Sequence, residues 1–211
     1  VRSTRRNGRV TPDLRRPRGG CRRFLRLLAI AALLVACTIA LMRLSRSPLV
    51  MRHLYPFTYR PSIVRNAEAQ KLDPLLVAAV IKAESNFWTW ARSRKDARGL
   101  MQLTPETGRW VAAQTGFAGY EDDELYNPEV NLELGCWYLA YLVREFGDAL
   151  PAALAAWNGG RTNVSAWLSS GTWSGELEDA GRIPFRETRD FVRRVLDNLT
   201  WYERLYGEGI E

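Results

Sequence analysis

The sequence predicts a nearly all-α domain behind one apolar N-terminal helix, and three observations predict it. Asp73-Pro74, Thr104-Pro105 and Asn127-Pro128 each place an N-capping side chain before a proline at the first helical position. The apolar runs behind them show helical length and no sustained strand alternation. Ahead of them, Leu27 to Met42 is a 16-residue stretch without a charge.

Taken in order, residues 1–26 are rich in Arg, Gly and Pro and read as a disordered basic tail. Residues 27–44 read as a transmembrane helix or signal anchor. The strict run is shorter than the ~20 residues of a spanning helix, but Phe24, Leu25 and Leu44 extend it, and Arg26 and Arg43 can reach the headgroups. Ten arginines precede the run, which puts the tail in the cytoplasm and the rest of the chain outside the cytoplasmic membrane. Three readings fit the run: an uncleaved single-pass anchor, a signal cleaved after Thr38-Ile39-Ala40, and a lipoprotein modified at Cys37 in Leu34-Val35-Ala36-Cys37. The first is preferred because the tail is long for a signal peptide. Residues 45–60 read as a connector to a domain covering 61–211.

Within that domain the first helix opens at Pro74 and carries PLLVAAVIKAESNF; the second opens at Pro105. A long helix runs from Pro128 to Phe146 and stops at Gly147. LPAALAAWN is halted by Gly159-Gly160, a short helix covers Asn163 to Leu168, and the last runs from near Glu187 to Gly207.

Composition removes several function classes. The net charge of +7 suggests nucleic acid until it is mapped. Residues 1–60 hold fourteen arginines against one aspartate, while the remaining residues hold sixteen bases against twenty-two acids. The domain is thus mildly acidic, and no nucleic-acid partner is expected. His53 is the single histidine and lies outside 61–211, which excludes Ser-His-Asp and Cys-His catalysis and histidine zinc sites. Cys21, Cys37 and Cys136 have no metal-ligand spacing, and Cys136 reads as core. The chemistry falls to carboxylates, with no metal or cofactor.

Leu76, Val80 and Glu84 recur every four residues on one apolar stripe. A carboxylate continuing such a stripe at a helix C-terminus is disfavoured as an anion by burial and by the helix dipole. Both effects raise its pKa, as a general acid near neutrality requires. From spacing alone, a partly exposed Glu at a fraying helix end is the favoured reading.

The surrounding text decides between them. Glu84-Ser85-Asn86-Phe87, Ser93, Ala97-Arg98-Gly99-Leu100-Met101-Gln102-Leu103, Asn127-Pro128-Glu129-Val130-Asn131-Leu132, Ala155-Ala156-Trp157-Asn158-Gly159-Gly160 and Ile183-Pro184-Phe185-Arg186-Glu187-Thr188-Arg189 follow in order between Tyr55 and Tyr206. Together they resemble the bacterial lytic transglycosylases of the soluble-lytic-transglycosylase (SLT) domain type. The resemblance implies a lysozyme-like helical fold with a glycan cleft. It implies Glu84 as sole acid/base, Ser93 near the C-6 hydroxyl of muramic acid, and Gln102 and Asn158 on the cleft wall. Ser85 and Trp157 complete the candidate substrate-binding set. Short amides and hydroxyls suit sugar hydroxyls and N-acetyl groups, and Gly99 and Gly160 would let backbone approach the ligand. From the residues alone, Ser85 and Ser93 are equally turn or capping residues, Gln102 a loop amide and Asn158 a helix C-cap. Trp157 and Phe191 stand where the family usually has tyrosine, and Asp96 where many relatives carry glycine.

The expected activity is cleavage of the β-1,4 bond between N-acetylmuramic acid and N-acetylglucosamine in peptidoglycan glycan strands, leaving 1,6-anhydromuramic ends. Two alternatives stand beside it. A lysozyme-type hydrolase would need a second carboxylate, for which Asp96 is the candidate near the motif. A glycan-binding scaffold would keep the fold without turnover.

Overall fold

The computed structural model of the chain describes residues 19–45, 47–147 and 149–209. They divide into two compact units, the second beginning at Pro48. Among the described residues the first holds a single helix, α1, Gly19–Ser45. Its segment Phe24–Leu44 has 21 residues and a mean hydropathy of 2.5. At about 1.5 Å per residue it is long enough to cross a ~30 Å hydrocarbon layer. Large apolar side chains along it, such as Leu27, Leu33 and Leu41, are exposed. α1 starts inside the stretch read as disordered tail, because no proline or turn residue separates Cys21 from the apolar run. The rest of that tail, residues 1–18, lies outside the described residues.

The second unit opens within the stretch read as a connector. α2, Pro48–Leu54, buries Met51. Beyond it Tyr55 and Phe57 pack into the core, and the Pro56 and Tyr55 carbonyls accept hydrogen bonds from the Tyr202 and Tyr206 hydroxyls, both at 2.8 Å. α3, Arg60–Ala69, is a further helix that the sequence does not announce. Its N-cap, Tyr59, is left-handed and makes no side-chain cap, and its inward face consists of Ile63 and Ala67.

The centre of the fold is α4, Pro74–Glu84, capped by the Asp73 carboxylate, which accepts the Leu75 N–H at 2.8 Å. Every residue from Leu75 to Ile81 is buried, so α4 is enclosed on all sides and not along one stripe. Each such Leu, Ile or Val contributes roughly 1.5–3 kcal/mol by leaving water. α9, Arg186–Tyr206, packs along α4 through Phe191, Val192, Val195 and Tyr202. α7, Leu150–Gly159, lies against α9 and against α6, Pro128–Glu145. α8, Arg161–Ser169, follows α7. α5, Pro105–Thr115, closes a smaller core around Leu103, Val111, Leu125 and Leu134. Cys136 is buried in the main core, which pushes its thiol up to about 12.

Among the described residues extended pairing is limited to two isolated bridges, Arg92 with Arg98 and Arg98 with Leu103. They fold residues 92–103 into a compact double turn between α4 and α5.

Candidate active site

The C-terminus of α4, the C-terminus of α7, the 92–103 double turn and the first turn of α9 meet around a cleft of about 360 Å³. Glu84 is the last residue of α4 and lines it. One edge of Glu84 is open to the cleft, while protein fills most directions around its carboxyl. That burial is the main cause that raises its pKa, to about 7; Glu187 adds to the rise, and the Trp157 hydrogen bond and Arg194 oppose it. The last turn of α4 sets its negative dipole end in the same place and favours the neutral acid.

Trp157 comes from the last turn of α7. Its indole Nε1–H donates to Glu84 Oε1 at 2.7 Å, while its ring lies 5.4 Å from that of Tyr138. The indole thus supplies the carboxylate with a donor, although this residue stands where the resembling family usually has tyrosine. Phe191, the other aromatic departure, is 1% exposed and belongs to the core. Next to Trp157, Asn158 Oδ1 accepts the hydroxyl of buried Thr188 at 2.9 Å, which turns the amide so that its NH₂ is left for a ligand acceptor.

The opposite wall is the double turn. Ser93 Oγ accepts the backbone N–H groups of Lys95 at 3.2 Å and Ala97 at 3.1 Å, so its own proton is available to donate outward. Gln102, held at φ 49°, donates its NH₂ to the carbonyls of Ala91 at 3.1 Å and Gly99 at 2.9 Å. Two carbonyl partners fix which end of the amide is nitrogen, and Oε1 is left as a ligand acceptor.

Of the six residues singled out in the sequence, Glu84, Ser93, Gln102, Trp157 and Asn158 line the same cleft. Ser85 does not. Its hydroxyl donates to the Leu100 carbonyl at 2.7 Å and ties the end of α4 to the double turn. Gly99 faces protein: a Cβ there would lie 2.0 Å from the Leu125 carbonyl oxygen. Gly160, at φ +87°, does line the cleft.

Asp96 is also away from the cleft. It adopts φ 63°, which explains a position where glycine is at home. Arg92 donates to it at 2.5 Å and Arg98 at 2.8 and 3.1 Å, and these bonds hold its carboxyl down at about 2. The second carboxylate on the cleft is Glu187, whose partner Lys95 stands 3.7 Å away on the double turn. Glu187 and Thr188 open α9 as ordinary first-turn residues, so the only signal for them was the Glu-Thr-Arg motif.

The model of the transglycosylase SLT domain matches residues 61–179. The chain belongs to the SLT domain family. It is similar to the soluble lytic murein transglycosylase of Escherichia coli strain K12, 29% identical over 158 residues, which is 73% of this chain and 24% of that protein. The crystal structure of the 70 kDa soluble lytic transglycosylase from E. coli matches at TM-score 0.71 and 27% identity, over 75% of this chain and 26% of that one. An inactive glutamate-to-glutamine mutant of lytic transglycosylase Slt from Pseudomonas aeruginosa matches at TM-score 0.65 and 32% identity, over 72% and 25%. The membrane-bound lytic murein transglycosylase C of Actinobacillus pleuropneumoniae is 35% identical over 111 residues, 48% of this chain and 30% of that protein. The chain thus spans about a quarter of the length of the E. coli protein. Its SLT domain has the lysozyme-like helical fold that the motifs implied.

Proposed function

We propose that this protein is a membrane-anchored lytic transglycosylase of peptidoglycan, with Glu84 as its one acid/base. The observation that carries this reading is Glu84 itself: a carboxyl with a pKa of about 7 on a cleft lined by Ser93, Gln102 and Asn158. At neutral pH such a group exists in both forms, which one residue needs in order to act first as acid and then as base.

Protonated Glu84 gives its proton to the oxygen linking muramic acid to glucosamine, and the C1–O bond breaks. The carboxylate left behind, steadied by the Trp157 N–H, takes the proton from the muramic C-6 hydroxyl. That oxygen bonds to C1 and closes the 1,6-anhydro ring; no water is consumed. The outward proton of Ser93 suits it to orient the C-6 hydroxyl, and holding the internal nucleophile close favours it over water. The Asn158 NH₂ and the Gln102 carbonyl oxygen supply the two kinds of partner that an N-acetyl group requires. The inactive P. aeruginosa mutant, itself a glutamate-to-glutamine change, is consistent with reliance on one carboxyl.

One observation favours a second reading. Glu187 shares the cleft and could support hydrolysis by the two-carboxylate route, a role for which ion-paired Asp96 is badly placed. Mass spectrometry of digested sacculi separates the two. The transglycosylase gives muramic ends one water lighter than hydrolysis does, and these resist borohydride. Reducible muramic ends as the main product would establish the hydrolase.

The anchoring rests on the apolar segment Phe24–Leu44 and the ten arginines before residue 27, which favour a cytoplasmic tail and a catalytic domain on the outer side. The membrane-bound relative in A. pleuropneumoniae supports association with the membrane.

A further inference from the structure

Asn131 belongs to the Asn-Pro-Glu-Val-Asn-Leu motif at the start of α6 and lies apart from the cleft. Its side chain is fully buried. The amide gives one hydrogen to the Arg98 carbonyl at 3.0 Å and the other to the Leu125 carbonyl at 2.8 Å, while its oxygen accepts the Met101 N–H at 2.7 Å. Both donors are thus consumed and the oxygen is engaged, with nothing left for a ligand.

Its partners Arg98 and Met101 bracket the turn that delivers Gln102 to the cleft. The fit is tight. A Cβ on Gly99 would meet Asn131 Nδ2 at 2.4 Å, so glycine is required where the amide passes the turn. On its other side the same turn is fastened by Ser85, the neighbour of Glu84, through the Leu100 carbonyl. From it Gln102 reaches back to Ala91 and Gly99 and leaves Oε1 toward the cleft.

We infer that Asn131 is a positioning residue for the glycan cleft, setting the Gln102 side chain through the Arg98–Met101 turn. The inference rests on the proposed glycan-cleaving reading for its consequence, but not for its geometry.

Two measurements on the full chain in detergent test it, both in a Glu84→Gln background that binds without turnover. The first reads the Gln102 side-chain amide by NMR. With Asn131 intact, its two protons should be protected from exchange by the Ala91 and Gly99 carbonyls; in Asn131→Leu that protection should disappear while the rest of the core stays protected. Unchanged protection of Gln102 would overturn the inference.

The second is a double-mutant cycle on affinity for purified glycan strands. Asn131→Leu and Gln102→Ala should each weaken binding about five- to tenfold, the scale of one lost hydrogen bond. Together they should be no worse than the worse single change, because one acts through the other. Losses that multiply would make Asn131 an ordinary structural residue and sink the idea. If Asn131→Leu does not fold, Asn131→Ala replaces it in both experiments: it removes the same three bonds without forcing a larger apolar group into the site, and its loss should likewise vanish in Gln102→Ala. Failure of the Asn131-intact chain to bind glycan at all would count against the proposed function, and the exchange measurement would still decide the role of Asn131.

Discussion

Glu84 combines two opposed demands at one carboxyl. Burial holds it protonated, and the Trp157 N–H favours the anion it becomes after giving up that proton. Turnover should therefore fall with an apparent pKa near 7 as pH rises, because the acid form is lost. Trp157→Phe keeps an aromatic ring and removes the donor. Its alkaline limb should move to higher pH, and a pH–rate profile that shifted downward would contradict the role given to the indole. The same balance has a cost in stability. Folding keeps Glu84 protonated in a range where the unfolded chain releases its proton. Stability is therefore lost as pH rises from about 4.5 to about 7, and stays lost above that. Glu84→Gln removes this cost while retaining an acceptor for the indole. It should stabilise the fold by on the order of 1–3 kcal/mol at pH 8 and by almost nothing at pH 4, read as the difference in thermal or denaturant midpoints.

At the scale of elements, what the sequence disclosed follows from where its signals are strong. α4, α5 and α6 begin at a capping side chain followed by proline, and all three caps form in the structure. α2 and α3 were invisible because each is short and shows few buried positions, too few to register as periodicity, and α3 has no side-chain cap. The site divides in the same way. Glu84 could be suspected from its helix, and Trp157 and Asn158 from their place before two glycines. Glu187 reaches the cleft, and buried Thr188 reaches Asn158 behind it, through the packing of α9 on α7, which no periodicity or capping pattern encodes. Nor did spacing show that Ser85 would bond the Leu100 carbonyl or that Gly99 would press on protein instead of ligand. Gly99 supplies the prediction at this scale. It sits at φ +77° with the Leu125 carbonyl and Asn131 amide occupying the space of a Cβ. Both partners are buried and fixed, so Gly99→Ala must displace the double turn. Overpacking together with left-handed strain should cost about 2 kcal/mol or more. A denaturant midpoint equal to that of the unmodified chain would show that the turn yields freely.

For the molecule as a whole, the distribution of charge and the position of the apolar helix make one physical argument. Residues 1–60 carry the arginines, and the rest of the chain is net acidic. Arginine is retained on the cytoplasmic side during insertion, and ten of them precede Leu27 while Arg43 and Arg46 follow the run. The difference favours a tail inside and the SLT domain outside, where its proposed substrate lies. The segment Phe24–Leu44 is long enough to span without stretching the layer. With the chain expressed in cells stripped of their wall, protease added outside should destroy the part from Pro48 onward and leave a short membrane-embedded fragment containing α1. Replacing the arginines before residue 20 by glutamine should weaken the bias and produce a mixed population in which some domains are protected. Complete protection of the domain in the unmodified chain, equal to that of a cytosolic marker, would place it inside and separate it from any wall substrate. Release of the intact domain into the medium without protease would instead show that the apolar segment is cleaved, and the anchor would have to be given up in favour of a secretory signal.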